Sequence, residues 1–188
     1  MVKVLAFTGS YRKNSYNGRV LNIAVNGVRE VGGDVTVLDL NDYPMPAYNH
    51  DDVEKKGFDD AAIRFQDVLN GHNAFLIASP EYNGSLPGGF KNAIDWASRA
   101  NDKYKMSYEV FKGKTAAIMT AAPGQFGGLR CLGDLRGVLT IMGVNVLPNE
   151  IAVTFVGQKF DGDGIEMNDE KTKKLLENLG ASLVAAVK

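Results

Sequence analysis

Three short stretches of the chain concentrate the residue types that hold a ligand. The first, Gly9-Ser10-Tyr11-Arg12-Lys13-Asn14-Ser15-Tyr16-Asn17, follows an apolar run and leads through Gly18 into a helical pattern. A helix start leaves its first N–H groups without acceptors and carries partial positive charge, so it attracts anions. Ser10, Ser15 and Asn17 add side-chain donors, and Arg12 adds a charge with a planar donor fork. The plainer alternative makes Ser15 or Asn17 a helix N-cap and Arg12 a solvated loop residue. The loop has neither the Gly-x-Gly-x-x-Gly dinucleotide fingerprint nor the Gly-x-x-x-x-Gly-Lys-Ser/Thr nucleotide loop. A terminal monophosphate suits it better than a pyrophosphate.

The second stretch reads Ser79-Pro80-Glu81-Tyr82-Asn83-Gly84-Ser85-Leu86-Pro87-Gly88-Gly89. Backbone N–H groups from Glu81 to Asn83 suit the amide edge of a flat heteroaromatic ring, and Tyr82 offers a π surface. Asn83-Gly84 with the prolines also fits an ordinary turn. The third stretch is Ala121-Ala122-Pro123-Gly124-Gln125-Phe126-Gly127-Gly128-Leu129-Arg130. No Ser/His/Asp triad or paired carboxylates accompany these loops. His50 and His72 read as loop and helix-end residues, and Trp96 as core or subunit-interface packing. Asp161-Gly162-Asp163-Gly164 hints at a calcium loop, but Ile165 and Thr172 stand where such a loop needs Asn/Asp and Glu, so it reads as a turn.

The elements that must position these loops follow from hydrophobic periodicity. Apolar, β-rich runs at 2–8, 35–38, 74–78, 115–120 and 144–147 predict strands buried on both faces. Helical faces lie between and after them: Leu21, Ala24, Val28, Val31; Ala61, Phe65, Val68, Leu69; Phe90, Ala93, Ile94, Ala97; Leu132, Leu135, Leu139, Met142; and Leu175, Leu176, Leu179, Leu183. Strict alternation predicts right-handed crossovers and a three-layer α/β domain over residues 1–188. Its five-stranded parallel sheet takes the flavodoxin-like order 2-1-3-4-5, with helices on both faces. Ligands in such sheets bind outside the carboxyl ends of the strands, where strand order reverses, and all three loops leave strands at that end. Residues 42–57, with Pro44 and Pro46, read as a long surface loop that could border a site.

Composition narrows the partners. The 188 residues are 45% hydrophobic and 23% charged, and the formal net charge of -1 gives no basic face for nucleic acid. One cysteine, Cys131, and two histidines are too few for an intramolecular disulfide or a Cys/His zinc site. With no signal-peptide core and no apolar run long enough to span a bilayer, the expected location is the cytoplasm.

Taken together, Gly9-Ser10-x-Arg12-x-x-Ser15-x-Asn17, Pro80-Glu81-Tyr82-Asn83-x-Ser85-x-Pro87-Gly88 and Lys91-Asn92-Ala93-Ile94-Asp95-Trp96 resemble the NADPH-dependent FMN reductase family, which includes quinone, azo-dye and chromate reductases. The resemblance runs from the first strand to the loop after the fourth. It implies FMN as cofactor and NADPH or NADH as donor, with Ser10, Arg12, Ser15, Tyr16 and Asn17 at the phosphate. Pro80, Glu81, Tyr82, Asn83 and Ser85 would lie along the isoalloxazine, and backbone of Ala122, Pro123 and Gly124 would approach it from the third loop. Many members have a serine where this chain has Ala121 and Ala122. Hydride would pass from the nicotinamide to the flavin and then to a small-molecule acceptor on the same face, giving ping-pong kinetics, with Glu81 and Tyr82 bordering the acceptor. A homodimer or homotetramer is implied. The rival reading is a flavodoxin-type electron carrier, against which the near-neutral charge speaks, because such carriers use strong charge to meet their partners.

Overall fold

The computed structural model describes residues 1–162 and 164–187. Its strands are β1 (Lys3–Thr8), β2 (Asp34–Leu38), β3 (Ala74–Ala78), β4 (Thr115–Ala121), β5 (Asn145–Val146) and β6 (Ile151–Val153). Its α-helices are α1 (Tyr16–Glu30), α2 (His50–Lys56), α3 (Asp60–Asn70), α4 (Gly88–Ala97), α5 (Leu129–Ile141) and α6 (Glu170–Val187). The strands form a parallel sheet of order 2-1-3-4-5, and β6 also pairs with β4. This is the flavodoxin-like arrangement that the alternating pattern predicts.

The period-two geometry of a strand divides the core between two faces. Val4, Ala6, Leu76 and Met119 face α1 and α6, while Leu5, Phe7, Phe75 and Ile118 face α3, α4 and α5. Helices α1 and α6 cross so closely that a Cβ at Gly180 would lie 2.0 Å from the Ala24 carbonyl oxygen, and one at Gly27 would lie 1.9 Å from that of Glu177. Only hydrogen fits there, and this contact fixes α1, and so its first turn, on the sheet.

Some elements depart from expectation. The fifth strand is split: β5 pairs with the first two residues of β4, and β6 pairs with its last three. Two extra residues are taken up between them, next to Pro148, which has no N–H for a ladder. The 42–57 segment contains α2, so His50 opens a helix instead of lying in a loop. This helix buries none of its residues; Asn49 caps it, Asp51 and Asp52 occupy its first turn and Lys55 and Lys56 its last, in keeping with the dipole. Val31 lies beyond α1 as its C-cap and is exposed, and Leu175 sits one residue round from Leu176, which takes the core position.

Trp96 is buried on α4, as its position beside the apolar face suggests, and its indole N–H donates to the Pro46 carbonyl at 2.8 Å. His72 follows α3 with Nδ1 2.7 Å from the Val68 carbonyl oxygen, which makes it the helix-end residue anticipated. The turn expected at 161–164 includes Asp163, which lies outside the described residues. Among the described residues no helix is long and apolar enough to cross a membrane.

Candidate functional site

The loops after β1, β3 and β4 meet at the carboxyl edge of the sheet. In the first loop, Ser15 is the N-cap of α1, and its Oγ accepts from the Gly18 N–H at 3.0 Å. Ser10 is nearly buried, and its Oγ accepts from the Arg12 N–H at 3.3 Å. Each hydroxyl thus has an internal donor and keeps its own proton for another acceptor. Among the described residues, the N–H groups of Asn14, Ser15, Tyr16 and Asn17 have no acceptor, and the side chains of Arg12 and Lys13 have no partner. Asn14 adopts φ 54°, a left-handed conformation that asparagine tolerates, as the chain turns into the helix. Beside this loop lies a cavity of about 370 Å³ lined by Ser10, Arg12, Lys13, Asn14 and Ser15.

The two expected donors nearest the helix have other work. The Asn17 side chain is buried and forms a clamp, Nδ2 donating to the Ala121 carbonyl and Oδ1 accepting from the Ala121 N–H, both at 3.0 Å. It ties the first loop to the third, while its backbone N–H stays open. The Tyr16 ring packs against the core and beneath the Arg19 guanidinium, so its open group is also the backbone N–H.

In the second loop, residues 82–85 close a tight turn. The Tyr82 N–H donates to the Ser85 carbonyl at 3.0 Å, and the Ser85 N–H donates back at 3.1 Å. Asn83 and Gly84 supply the two positive φ values, 53° and 81°, that a type I′ turn requires. The stretch is the Asn-Gly turn expected, and among the described residues the N–H groups of Glu81 and Asn83 have no acceptor while that of Tyr82 is taken. The Tyr82 ring is 54% exposed.

The Glu81 side chain reaches the start of α5. Its Oε2 accepts from the backbone N–H groups of Arg130 at 3.0 Å and Cys131 at 3.3 Å, and its Oε1 lies 3.4 Å from Arg130 Nη1. Ser85 Oγ donates to Asp134 at 2.5 Å. The Cys131 thiol lies 3.4 Å from the Pro80 carbonyl and 3.3 Å from Ser79 Oγ, and burial pushes it up to about 11, so it remains an S–H donor. Pro80, Glu81 and Ser85 are thus all fastened to α5.

The third loop folds back on β6. The Ala122 N–H donates to Val153 at 3.2 Å, and the Ala122 carbonyl accepts from Val156 at 3.3 Å. Pro123 has no N–H, and among the described residues those of Gly124, Gln125, Phe126 and Gly128 have no acceptor. A side chain at Gly124 would meet nothing within 4 Å, so its backbone faces free space. Gly128, at φ 92°, starts α5 where a Cβ would lie 2.2 Å from Thr120 Oγ1. The exposed Phe126 ring lies beneath Arg130, 4.7 Å from its guanidinium carbon.

Sequence reasoning missed several supporting contacts. The Tyr11 hydroxyl donates to the Gly89 carbonyl at 3.2 Å, Asn41 Nδ2 donates to the Tyr11 carbonyl at 3.3 Å, and Asp134 holds Ser85. Each joins residues far apart in the chain, and no local spacing announces such a pair.

The chain matches the family model for NADPH-dependent FMN reductase over residues 2–158. It is 37% identical over 177 residues to an NAD(P)H-dependent FMN reductase of Pseudomonas aeruginosa, covering 94% of this chain and 90% of that protein. An NAD(P)H:quinone oxidoreductase of Solanum tuberosum is 34% identical over 190 residues, covering 98% of this chain and 92% of the relative. Among solved structures, the flavoenzyme NAD(P)H:(acceptor) oxidoreductase FerB of Paracoccus denitrificans superposes with a TM-score of 0.82 at 28% identity, covering 100% of this chain and 97% of that one. The motifs in the three loops, the sheet order and these likenesses agree: the chain belongs to the NADPH-dependent FMN reductase family of oxidoreductases.

Proposed function

We propose that this chain is an FMN-dependent NAD(P)H oxidoreductase that passes hydride to quinones or related acceptors, such as flavin, azo compounds and chromate, by a ping-pong route. The observation that carries the reading is the open start of α1, where four N–H groups have no acceptor among the described residues and the adjoining cavity is lined by Ser10, Arg12, Lys13, Asn14 and Ser15, with two hydroxyl protons and two cations among them. That donor set fits the dianionic phosphate of FMN, and the free space at Gly124 fits a flat ring reaching the third loop.

FMN, when bound, supplies the chemistry of taking a hydride from a nicotinamide and handing it to an acceptor. The protein's residues bind and orient. Ser10, Arg12 and Ser15, with the N–H groups of Tyr16 and Asn17, take the phosphate. Pro80, Glu81, Tyr82, Asn83 and Ser85 form the turn along the ring, with the N–H groups of Glu81 and Asn83 as donors. Ala122 and Pro123 shape the third loop, and Gly124 contributes its N–H. The exposed rings of Tyr82 and Phe126 border the space that NAD(P)H and the acceptor occupy in turn. Because the flavin would carry the hydride, the transfer needs no acid–base pair from the protein.

The quinone reductases among the relatives favour quinones as first acceptors to try. The rest of the reading is a single domain over 1–188 acting in the cytoplasm as a homodimer or homotetramer, with the helix faces near Trp96 and Arg130 as candidate contacts. The test is oxidation of NADPH and NADH by the FMN-loaded protein with benzoquinone. Turnover with parallel double-reciprocal lines is expected; no turnover with either nucleotide would overturn the proposal.

A further inference from the structure

Glu81 has a position that its motif does not explain. An N-cap side chain ordinarily belongs to the residue just before its helix and accepts from the second and third N–H groups. The residue before α5 is Gly128, which has no side chain to do this. Glu81, 49 residues before Arg130, supplies the acceptor for the Arg130 N–H and a second acceptor, at 3.3 Å, for the Cys131 N–H, which also donates to the Gly128 carbonyl at 3.1 Å. The Glu81 side chain is only 14% exposed, and the Arg130 guanidinium lies on its other oxygen.

The cap works in both directions. It satisfies the start of α5, and it also pins the 80–85 turn, whose far end is held by Ser85 on Asp134 one helical turn further along. The turn is closed on itself by the reciprocal Tyr82 and Ser85 bonds and so docks as one rigid piece. Since α5 begins where the third loop ends, Glu81 makes the second and third loops a single unit.

We infer that Glu81 is a positioning residue: its carboxylate locks the ring-side turn to the start of α5 and places a fixed negative charge, with a neutralised helix dipole, beside the flavin ring site. The inference rests on the FMN reading for its electrostatic half and on the protein alone for its mechanical half. Reduction adds negative charge to the ring. A nearby carboxylate opposes that charge, whereas an uncapped helix start would favour it.

The test uses the full chain with Glu81→Gln, which keeps one acceptor oxygen and loses the charge, and Glu81→Ala, which loses both. In FMN-free protein, amide hydrogen exchange of the 80–85 segment should quicken at least tenfold in Glu81→Ala and clearly less in Glu81→Gln, with the start of α1 unchanged. In FMN-loaded protein, Glu81→Gln should raise the two-electron midpoint potential by about 30 mV or more, the equivalent of a tenfold preference for reduced FMN. Unchanged exchange in Glu81→Ala would overturn the mechanical half, and an unchanged potential in Glu81→Gln the electrostatic half. Should Glu81→Ala not fold, exchange in Glu81→Gln indistinguishable from wild type would count against the lock. Wild-type protein that takes up no FMN would instead sink the proposed function, and the exchange result would still stand.

Discussion

The starts of α1 and α5 reach the same edge of the sheet and meet opposite fates. At α5, the Leu129 N–H donates to the Phe126 carbonyl, that of Arg130 to Glu81, and that of Cys131 to both the Gly128 carbonyl and Glu81. At α1, the Ser15 hydroxyl accepts from the Gly18 N–H; among the described residues those of Tyr16 and Asn17 have no acceptor, with Arg12 and Lys13 adding positive charge. Both helices carry the same dipole, so backbone geometry alone does not make an anion site. The difference lies in whether the protein brings its own carboxylate. One start is closed by an internal anion and serves as an anchor, and the other is left for an external one.

The sharpest way to break this contrast is to close α1 as α5 is closed. Ser15→Asp keeps a good N-cap but places a carboxylate in the phosphate position, where like charges meet. FMN affinity should fall by about 100-fold or more, while stability changes by roughly 0.5 kcal/mol or less. FMN titration and a thermal melt check the two halves.

Arg12→Ala is the next largest. Loss of one charge-assisted bond should cost about 1.5–3 kcal/mol of FMN binding, roughly 10- to 150-fold in Kd. Unchanged affinity by fluorescence titration would place the phosphate elsewhere.

Asn17→Ala removes the clamp on Ala121, which ties the α1 start to β4 much as Glu81 ties α5 to the second loop. Two buried bonds lost should destabilise the fold by about 2 kcal/mol, a drop of roughly 4–8 °C in Tm. Differential scanning calorimetry reads it directly.

The smallest effect concerns α6, whose start is served by an acid close in sequence. Asp169 accepts from the Thr172 N–H at 3.0 Å and pairs with Lys159, and the hydrogen bond from Lys159 holds its carboxyl down at about 2. A depressed carboxyl stabilises the fold above its unfolded pKa near 4, and that contribution is lost as pH falls through 2. The Lys159 and Asp169 side chains are 21% and 31% exposed, so solvent screening should keep the effect below about 1 kcal/mol. Wild type and Asp169→Asn should therefore differ at pH 6 and converge below pH 2 in urea melts.

What was legible in the sequence had local causes. The strands announce themselves as apolar runs, and the α1 start as Ser and Asn after a Gly, because capping acts over three residues. The Asn83-Gly84 turn is readable for the same reason: its positive φ values favour those two residues. Helix α2 escaped because caps and charges hold it with no buried stripe. The break between β5 and β6 depends on how β4 takes its partners, which periodicity does not record. The roles of Asn17 and Glu81 were hidden because their partners lie 104 and about 50 residues away. Motif and residue type marked both as site residues; only the fold shows that their side chains fasten loops together.

The central claim is that the open α1 start receives the phosphate of FMN. Titrating the apoprotein with FMN and with riboflavin, which lacks only that phosphate, tests it most directly. FMN should bind far more tightly than riboflavin in the wild type, and Ser15→Asp should erase the gap. Equal affinity for FMN and riboflavin in the wild-type protein would contradict it.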